Sequence, residues 1–414
     1  MKQLSVAIFV QNSAFYDQRV SKQIAVFSAL GINVKLFPIL TDRDDESRIL
    51  NMSNIEIHYG AYGRKHGLKN WIFWIANSIK HKISRRLINA GFSSRWVDYH
   101  FCGPCTSIFL KTSSDHTFDL IYANDLNTVP AVLSIANKRK IAFVYDAHEL
   151  YSEESSSITE REKESIKRVE KLACTLSALN ITVSGSIAIR LRQLYSLKNE
   201  PAVIRNIPLI NNVDRELRST YSDERIRLVY HTANLSLNGR NVKDLIDAIA
   251  LCTSNVSLTL IGNMDDRSKR VLFGYIEQKA CLNSKIFVHG AFPYNELISF
   301  IKKFDVGIIL NHPSVLNNNL GIPNKMFEYM ACGLAIISFK TVEIEKVFKK
   351  FDIGLLTHTA DSKGLLDAIT KIASRPEDLH HYKVNSQTAH LTEFNWANES
   401  NVFTSQLMSV VRSI

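Results

Sequence analysis

Short apolar segments and amphipathic helices alternate along almost the whole chain, and this alternation limits the fold more than any other feature of the sequence. The first two predicted strands are LSVAIFV and INVKLF. Between them lies a predicted helix whose apolar face is formed by Val20, Ile24, Phe27 and Leu30. The pattern returns with the strands DLIYA, IAFVY and NITVS, separated by helices near 127–137 and 160–178. Short buried strands separated by amphipathic helices are typical of a parallel sheet with helices on both faces.

The alternation lapses near residues 205–225 into a polar segment without a clear period, and it then restarts with the strand RLVYH. The next helix has an apolar face at strict helical spacing, formed by Val242, Leu245, Ile246, Ile249 and Ala250. A chain of 414 residues is long for one core and suits two domains. We expect an α/β fold of two Rossmann-like doubly wound domains facing across a cleft, residues 1–205 and 206–396, with ligands outside the carboxyl ends of the strands.

The net charge is +10, from 50 Lys and Arg against 40 Asp and Glu, and it suits an anionic partner such as a nucleotide or a membrane surface. The charges are spread along the chain, so nucleic acid is the least favoured partner of this kind. No apolar run approaches the roughly 18 residues that a membrane span needs. The N-terminus reaches Asp17 and Arg19 without a small-residue cleavage site, so we expect a first strand instead of a signal peptide, and cytoplasmic residence.

Cys102 and Cys105 stand in the sequence FCGPC, which spells the thioredoxin redox motif. In a thioredoxin this motif follows a strand and opens a helix near the start of a small domain. Here it follows the polar segment SSRWVDYH, and the chain offers no second cysteine pair to complete a zinc site. Two ordinary thiols are therefore the preferred interpretation, with redox or metal chemistry as the alternative.

The segment 71–87 predicts a basic amphipathic helix. Its apolar residues recur every four positions, at Trp71, Ile75, Ile79, Ile83 and Leu87. The cations interspersed with them are Lys80, Lys82, Arg85 and Arg86. A basic helix with Trp and Ile can lie in a membrane interface, so one expectation is peripheral contact with the inner face of the cell membrane. The alternative is an ordinary helix that packs this stripe on the first sheet.

The first candidate binding site is the loop SLNGRN before the helix at 241. Arg240 would stand at the N-terminus of that helix, where unpaired backbone N–H groups and the helix dipole favour an anion. A guanidinium adds bidentate contacts that suit phosphate. A solvated loop arginine is the alternative, and the local sequence does not decide between the two.

The second candidate is the segment LNNNLGIPNKMFEYMACGLAIIS, in which Pro323 is placed as the first residue of a helix over 323–332. Lys325 falls in the first turn, where a cation opposes the helix dipole, and an anionic ligand would supply the counter-charge. Glu328 lies one turn further on and could accept hydrogen bonds from a diol such as a ribose. A plain helix with surface charges is the alternative.

The third candidate follows the strand IAFVY. Asp146, His148 and Glu149 fall there at the carboxyl edge of the predicted sheet, where Rossmann-like domains place their working residues. His148 could donate to a sugar hydroxyl or to developing charge. A structural histidine at the strand end is the alternative.

Together these segments resemble glycosyltransferase family 4, the retaining GT-B enzymes. The resemblance rests most on YDAHE at 145–149, on Arg240 with its following helix, and on PNKMFEYMA at 323–331. DQRV at 17–20 resembles the first loop and helix of the family. EFNWANES resembles the start of the family's terminal helices that cross back, so the helix 397–414 is expected to pack on the first domain. The likeness spans almost the whole chain.

The resemblance implies a transferase that moves a sugar from a nucleotide diphosphate sugar to a glycan or lipid-linked acceptor with retention at the anomeric carbon, in bacterial surface polysaccharide synthesis. The first domain would hold the acceptor and the second the donor, without a metal. Arg240 and Lys325 match positions that contact the diphosphate, Glu328 matches the glutamate that binds ribose, and His148 matches the histidine near the transferred sugar. The residues expected on the acceptor side are Asp17, Arg19, Asp146 and Glu149.

Two departures from the family pattern concern the donor sugar and the acceptor. The first glutamate of the family's Glu, seven residues, Glu motif falls at Leu320, and the usual glycine-rich first loop is replaced by residues 11–14, QNSA. Leu320 cannot accept a hydrogen bond. The donor sugar is therefore expected to rely on backbone groups of a loop at 317–321, which includes Gly321, or on the side chains of Asn317, Asn318 and Asn319.

These departures support one alternative, a non-catalytic GT-B relative that acts as a sugar-binding or partner-binding scaffold. The presence of His148, Arg240, Lys325 and Glu328 together argues against it. Another GT-B enzyme, such as a sugar-nucleotide epimerase, would need acid and base carboxylates that the sequence does not reveal.

Overall fold

The structure of the protein is a computed structural model that describes residues 3–14, 17–40, 55–61, 67–155, 157–210 and 225–414. The chain divides into two compact units, Met1–Asn206 with Ser400–Ile414 and Ile207–Glu399. Each unit contains one sheet, and the described strands pair in parallel. The parallel α/β architecture predicted from the sequence is therefore confirmed in both units.

The strands of the first unit are β1 Ser5–Val10, β2 Asn33–Leu40, β3 Ile55–Ile57, β4 Gly60–Ala61, β5 Leu120–Asn124, β6 Ala142–Ala147, β7 Leu179–Thr182 and β8 Ala202–Val203. Their order is β3-β2-β1-β5-β6-β7-β8, and β4 pairs with β2. The helices of this unit are α1 Gln18–Ala29, α2 Leu68–Asn89, α3 Arg95–Cys102, α4 Thr106–Thr112, α5 Val129–Arg139, α6 Glu160–Leu176 and α7 Gly185–Tyr195.

Helix α1 shows how the local sequence fixes an element of this unit. Asp17 caps its N-terminus, because its side chain accepts hydrogen bonds from the N–H groups of Arg19 and Val20. Beyond its last turn, Gly31 takes a left-handed φ of +70°, a conformation that glycine adopts without steric penalty. Of the predicted apolar face, Val20, Ile24 and Phe27 are fully buried, and Leu30 is the half-buried C-cap residue.

The strands of the second unit are β9 Ile226–Asn234, β10 Val256–Asn263, β11 Ile286–His289, β12 Val306–Ile309, β13 Ala335–Phe339 and β14 Gly354–Thr357, in the order β11-β10-β9-β12-β13-β14. Its helices are α8 Val242–Leu251, α9 Asp266–Gln278, α10 Tyr294–Ile301, α11 Leu316–Leu320, α12 Asn324–Ala331, α13 Val342–Phe351, α14 Ser362–Ala373 and α15 Pro376–Thr392. The last helix, α16 Trp396–Val411, begins in the second unit and continues into the first.

Apolar clusters cover both faces of the second sheet. Leu228 and Tyr230 on β9 belong to one cluster, and Val229 belongs to the other. Alternate strand residues point to opposite faces, so both faces must be covered to bury them. On one face, Gly307 of β12 allows α12 to approach closely, since a Cβ there would lie 2.3 Å from the ring of Tyr329. This approach brings the first turn of α12 to the carboxyl edge of the sheet.

The C-terminal residues of α16 pack within the first unit. Phe403 is fully buried and makes edge-to-face contacts with Phe27 of α1 and Tyr122 of β5. Such aromatic pairs stabilise a core beyond the area that they bury. No helix in the described part of the chain has both the length and the apolar character to cross a membrane.

Cys102 ends α3 and Cys105 precedes α4, and both are free, buried thiols. Burial raises the pKa of both thiols, that of Cys105 to about 12. A redox cysteine has the opposite character, an exposed thiol with a lowered pKa. The structure therefore supports two ordinary core thiols.

Candidate functional site

Arg240 lies in the loop that joins β9 to α8. Both Arg240 and Asn241, the N-cap residue of α8, have positive φ angles, 48° and 59°. Such conformations disfavour residues with a side chain and are concentrated at ligand-binding sites. No side chain caps the N-terminus of α8, and the Arg240 side chain is exposed. An exposed guanidinium thus directly precedes a helix whose N-cap side chain makes no capping hydrogen bond, an arrangement that suits an anion.

Lys325 is the second residue of α12 and is buried. Its Nζ donates a hydrogen bond to the backbone oxygen of His231 at 2.9 Å and lies 4.4 Å from the ring centroid of Tyr230. Burial lowers the pKa of Lys325 to about 7, with a further lowering from the charge of Arg240 and an opposing contribution from Glu328. The positive charges of Lys325 and Arg240 therefore disfavour each other, and a bound anion would offset both this repulsion and the cost of burying the ammonium group.

Glu328 lies one turn after Lys325 on α12 and is also buried. Its Oε2 is 3.0 Å from Nε2 of His231, and the hydroxyl of Tyr294 on α10 donates a hydrogen bond to it. Burial raises the pKa of this carboxyl, but His231 and Tyr294 outweigh burial and hold it below its usual value. Glu328 is therefore a buried, charged acceptor fixed by two neighbours.

His231 and Tyr294 were not predicted from the sequence. His231 lies in β9 near its carboxyl end, and it connects the two predicted site residues, through its backbone to Lys325 and through its ring to Glu328. A polar residue toward the carboxyl end of a predicted strand is a signal that could have identified it. Tyr294 begins α10, and nothing in its local sequence indicates that it reaches Glu328.

The predicted loop at 317–321 is instead a short helix, α11, with Gly321 as its C-cap. Asn317 is buried, and the Asn319 side chain accepts a hydrogen bond from the backbone N–H of Val342 at 3.0 Å. Asn318 Oδ1 accepts a longer one, 3.4 Å, from Asn311. Leu320 is half-buried. The helical backbone bonds within α11 leave fewer free backbone groups than the predicted loop would.

Helix α12 also begins later than predicted. Pro323 is its N-cap with extended backbone, ψ 142°, and Asn324 is the first helical residue. The residue before α12 thus lacks an N–H group, and no side chain caps the helix. Lys325 remains in the first turn, as predicted.

In the first unit, His148 directly follows β6 and lies between two carboxylates. Its Nδ1 is 3.1 Å from Oδ1 of Asp125, and its Nε2 is 3.3 Å from Oδ2 of Asp146. Burial lowers the pKa of His148, but the two carboxylates outweigh burial and raise it to about 10. The ring is therefore an imidazolium at neutral pH, and its side chain keeps 20% of its surface exposed.

Asp146 and Arg19 are buried inside the first unit. Asp146 is completely buried and accepts hydrogen bonds from Arg19 at 2.9 and 2.5 Å. Gln23 and Tyr122 also donate to it, at 2.6 and 3.0 Å. Arg19 donates further to the backbone oxygen of Ile204 at 2.7 Å. Both side chains are therefore engaged within the unit, where Asp146 also contacts His148, and their contact with an acceptor stays a prediction.

Asp17 and Glu149, the other two residues expected on the acceptor side, are more accessible. Asp17 is half-buried and caps α1, and Glu149 is half-buried directly after His148. Asp125 was missed by the sequence analysis. It follows β5 with a positive φ of 67° and contacts both His148 and the hydroxyl of Tyr151. A polar residue at the carboxyl end of a buried strand was the available signal.

Among the described residues, one group of side chains could offer ligands to a metal ion. The ligand atoms of Glu56, His58 and His116 lie within 4.8 Å of one another. Glu56 is also 3.4 Å from the ammonium group of Lys35, and the two imidazole rings are in contact with centroids 3.7 Å apart. These contacts hold β3 against the loop before β5, and we assign the group no catalytic role.

Comparisons with known proteins bear on the second unit first. The sequence model of the family described as glycosyl transferases group 1 matches residues 226–375, which include Arg240, Lys325 and Glu328. No curated protein matches the chain in sequence.

Solved structures match both units together. Sucrose-phosphate synthase from Thermosynechococcus elongatus is 15% identical, with 100% of both chains covered and a TM-score of 0.73. HepE from Anabaena in complex with UDP-glucose is 15% identical over 98% of this chain and 100% of that one, with a TM-score of 0.67. The lipopolysaccharide outer core galactosyltransferase WaaB in its apo form is 13% identical over 98% and 99%, with a TM-score of 0.62. These similarities confirm the predicted GT-B fold.

Proposed function

We propose that this chain, whose second unit is a group 1 glycosyltransferase domain within a GT-B fold, transfers a sugar from a nucleotide diphosphate sugar with retention of the anomeric configuration. The observation that carries the proposal is the grouping of Arg240, Lys325 and Glu328. It combines two neighbouring cations, the N-termini of α8 and α12, and a charged carboxylate one turn away. These are the groups that a diphosphate and a ribose require.

The diphosphate would bind to Arg240 and Lys325. When the sugar leaves it, negative charge grows on the diphosphate while the sugar gains oxocarbenium character. Fixed positive groups aimed at that charge stabilise the transition state more than the ground state. Lys325 contributes fully only when protonated, and the arriving diphosphate favours that form because it supplies the counter-charge that the buried ammonium lacks.

Glu328 would accept hydrogen bonds from the ribose hydroxyls. Its charge persists although it is buried, because His231 and Tyr294 stabilise it. A carboxylate has about four lone-pair sites, so the two neighbours leave capacity for a diol. This role separates recognition of the nucleotide from recognition of the sugar, for which Asn318 and the backbone near Leu320 and Gly321 are the candidates.

His148 would act on the transferred sugar from the first unit, with the acceptor bound beside Asp17 and Glu149. The positive charge of His148 is held by Asp125 and Asp146, and its exposed fraction allows one edge of the ring to meet a ligand. An imidazolium can donate to a sugar hydroxyl or oppose developing negative charge.

Metal independence is part of the proposal, because Arg240 and Lys325 can supply positive charge at the diphosphate. Turnover in the presence of EDTA checks it, and loss of turnover that Mg²⁺ or Mn²⁺ restores would contradict it.

The donor and acceptor classes are proposed from the structural neighbours. The HepE structure contains UDP-glucose, and WaaB is described as a lipopolysaccharide outer core galactosyltransferase. We therefore propose a UDP-hexose as the first donor to try, and a glycan or lipid-linked acceptor of bacterial surface polysaccharide synthesis. The site of action would be the cytoplasmic face of the cell membrane, where the enzyme is peripherally bound.

One observation favours a second candidate function, that of a non-catalytic sugar-binding scaffold. Leu320 occupies the position of the family's first glutamate and offers no polar group to a sugar. The same structural site would then bind a nucleotide sugar without turnover.

A panel of UDP-, GDP- and ADP-sugars, mixed with lipid-linked and soluble glycan acceptors, tests the proposal through release of the free nucleotide. We expect one nucleotide series to give acceptor-dependent release. Arg240→Ala should lower kcat/KM, with a loss of about 2–4 kcal/mol of transition-state stabilisation. Arg267 is an exposed arginine on α9, and Arg267→Ala should leave kcat/KM unchanged. Donor binding without release across the panel would support the scaffold, and unchanged turnover of Arg240→Ala would remove Arg240 from the site.

A further inference from the structure

Helix α2 exposes several apolar side chains and buries some polar ones, unlike an ordinary surface helix. The buried side chains that the structure describes on this helix are Asn77, Ser84 and Ile88, two of which are polar. Leu68, Ile72, Ile79 and Ile83, by contrast, expose 68%, 55%, 50% and 43% of their surfaces. A surface helix of a globular protein normally buries its apolar face and exposes its polar face.

The four exposed apolar residues form one stripe, which we name the α2 stripe. At about 100° per residue they fall within roughly 60° of one another around the helix axis, on the side opposite Asn77 and Ser84. The structure thereby corrects the stripe predicted from the sequence, since Trp71, Ile75 and Leu87 are only partly exposed. Asn77 lies inward because it accepts a hydrogen bond from Ser107, at 2.9 Å.

The charges of α2 are all of one sign. Its sequence, LKNWIFWIANSIKHKISRRLIN, contains no Asp or Glu. Arg85 pairs with Glu162 at 2.6 Å and is thus neutralised within the protein. The exposed Lys80, Lys82 and Arg86 have no ion pair with any residue that the structure describes. Arg86 follows the stripe along the helix, and Lys80 and Lys82 lie on either side of it.

We propose that the α2 stripe lies in the interfacial region of a membrane rich in anionic lipid, with Lys80, Lys82 and Arg86 at the headgroups. An apolar face flanked by cations matches such a surface in both respects, because the acyl boundary accepts Leu and Ile while phosphate groups pair with the cations. Phe92 and Trp96, 65% and 50% exposed just beyond the helix, add the residue types found at membrane interfaces. An acidic protein partner fits the charge less specifically, because four aliphatic side chains would need a matching apolar groove.

This surface belongs to the first unit, for which we propose acceptor binding. A lipid-linked acceptor would then be met at the membrane where it resides. The proposal does not require transfer activity, because vesicle binding is measured without a donor, so its failure and the failure of the proposed enzyme activity are distinguishable.

Co-sedimentation of the full chain with vesicles of equal parts phosphatidylglycerol and phosphatidylcholine tests the proposal. The stripe variant carries Ile72→Ser, Ile79→Ser and Ile83→Ser, and we expect its affinity to fall by about tenfold or more. The matched control carries Leu251→Ser, Val271→Ser and Leu391→Ser, exposed apolar residues of the second unit, and should bind like the parent. All six side chains are exposed, so melting temperatures should change little.

The charge variant Lys80→Gln, Lys82→Gln and Arg86→Gln provides the second arm. Its affinity should fall by about fivefold per cation, and its binding should depend less on salt than that of the parent. Vesicles of phosphatidylcholine alone should bind the parent weakly. Absence of parent binding, or equal losses in the stripe and control variants, would overturn the proposal. The proposal would also be overturned if the parent were a dimer that does not bind vesicles and the stripe variant were a monomer. A second copy of the chain would then cover the stripe.

Discussion

Lys325 combines burial with a neighbouring cation, and these two conditions lower its pKa to about 7. Its ammonium group also sits in the first turn of α12, where the helix dipole disfavours positive charge. Without a bound anion, a large fraction of the Lys325 side chain is therefore neutral above pH 7. A bound diphosphate would reverse the balance, because its charge favours the protonated form.

The lowered pKa of Lys325 predicts that protons are taken up when a nucleotide binds. Between about pH 7 and the ordinary lysine value of 10.5, binding of a nucleoside diphosphate should be accompanied by proton uptake. Calorimetry near pH 8.5, in two buffers with different ionisation enthalpies, measures the uptake directly. Lys325→Met should abolish it and weaken binding, whereas Lys363→Met, a cation of α14 in the same unit, should preserve it. Heats that do not depend on the buffer would contradict the placement of the diphosphate at Lys325.

The pKa of His148 is shifted upward, whereas that of Lys325 is shifted downward. The direction of this shift determines how His148 affects stability as the pH changes. Its pKa rises from 6.5 to about 10 in the folded protein because Asp125 and Asp146 outweigh burial. A raised pKa contributes stability that is fully present below about pH 6.5 and is lost as pH rises through about 10.

We therefore expect the difference in unfolding free energy between the parent and His148→Gln to shrink from pH 6 to pH 10. Urea denaturation at several pH values measures that difference. His148→Gln should also slow transfer strongly while nucleotide affinity changes little, because the donor nucleotide is assigned to the other unit. A stability difference that is independent of pH would refute the assignment of positive charge to the ring.

At the scale of elements, two asparagines of α11 that were predicted to contact the sugar differ in their hydrogen bonds. Asn319 is engaged in structure, since it accepts the N–H of Val342 at the start of α13. Asn318 accepts only a longer hydrogen bond, from Asn311. The side-chain amide of Asn318 is thus more available than that of Asn319 for hydrogen bonds with a ligand.

Asn318→Ala should change turnover or affinity for the intact donor while binding of the bare nucleoside diphosphate hardly moves. Asn319→Ala should instead lower the melting temperature, because it removes the side chain that accepts the N–H of Val342, the first residue of α13, a loss of about 1 kcal/mol. Calorimetry with nucleotide and intact donor, together with thermal unfolding, separates the two effects. Equal effects of both variants on nucleotide binding would show that α11 does not discriminate the sugar.

The sequence predicted the elements that carry the site because their signals are local. The spacing of Val242, Leu245 and Ile246 identifies α8, and the position of Lys325 in a first turn indicates an anion without knowledge of the rest of the fold. Contacts between distant positions were not predictable in this way. The side chains of Arg19 and Asp146, both expected on the acceptor side, meet across 127 positions of the chain and form a buried ion pair.

Helix α2 shows the same limit. Its recurring apolar residues predicted the helix correctly, but a repeat of four residues drifts around a helix of 3.6 residues per turn. The face that is exposed is set by tertiary contacts such as that between Ser107 and Asn77. His231 escaped prediction for a related reason, because its importance comes from Lys325 and Glu328, which are far along the chain.

At the scale of the whole molecule, we assign different tasks to the two units. The second unit would bind the donor through Arg240, Lys325 and Glu328, and the first would provide His148, the acceptor and the α2 stripe. The surplus of positive charge over the chain is consistent with partners that are all anionic, a nucleotide diphosphate and an anionic membrane.

The central claim is that the ribose and diphosphate of the donor bind to the second unit at Glu328 and its neighbouring cations. The most direct test is a calorimetric cycle that combines Glu328→Gln with removal of the ribose 2′-hydroxyl from the nucleoside diphosphate. In the parent, the deoxynucleotide should bind more weakly by about 1.5–3 kcal/mol, the contribution of a hydrogen bond to a charged group. In Glu328→Gln the ribonucleotide should be weakened and most of that discrimination lost, whereas Glu343→Gln, a buried glutamate of α13, should discriminate like the parent. If Glu328→Gln bound the ribonucleotide and distinguished it from the deoxynucleotide as the parent does, the donor site would lie elsewhere.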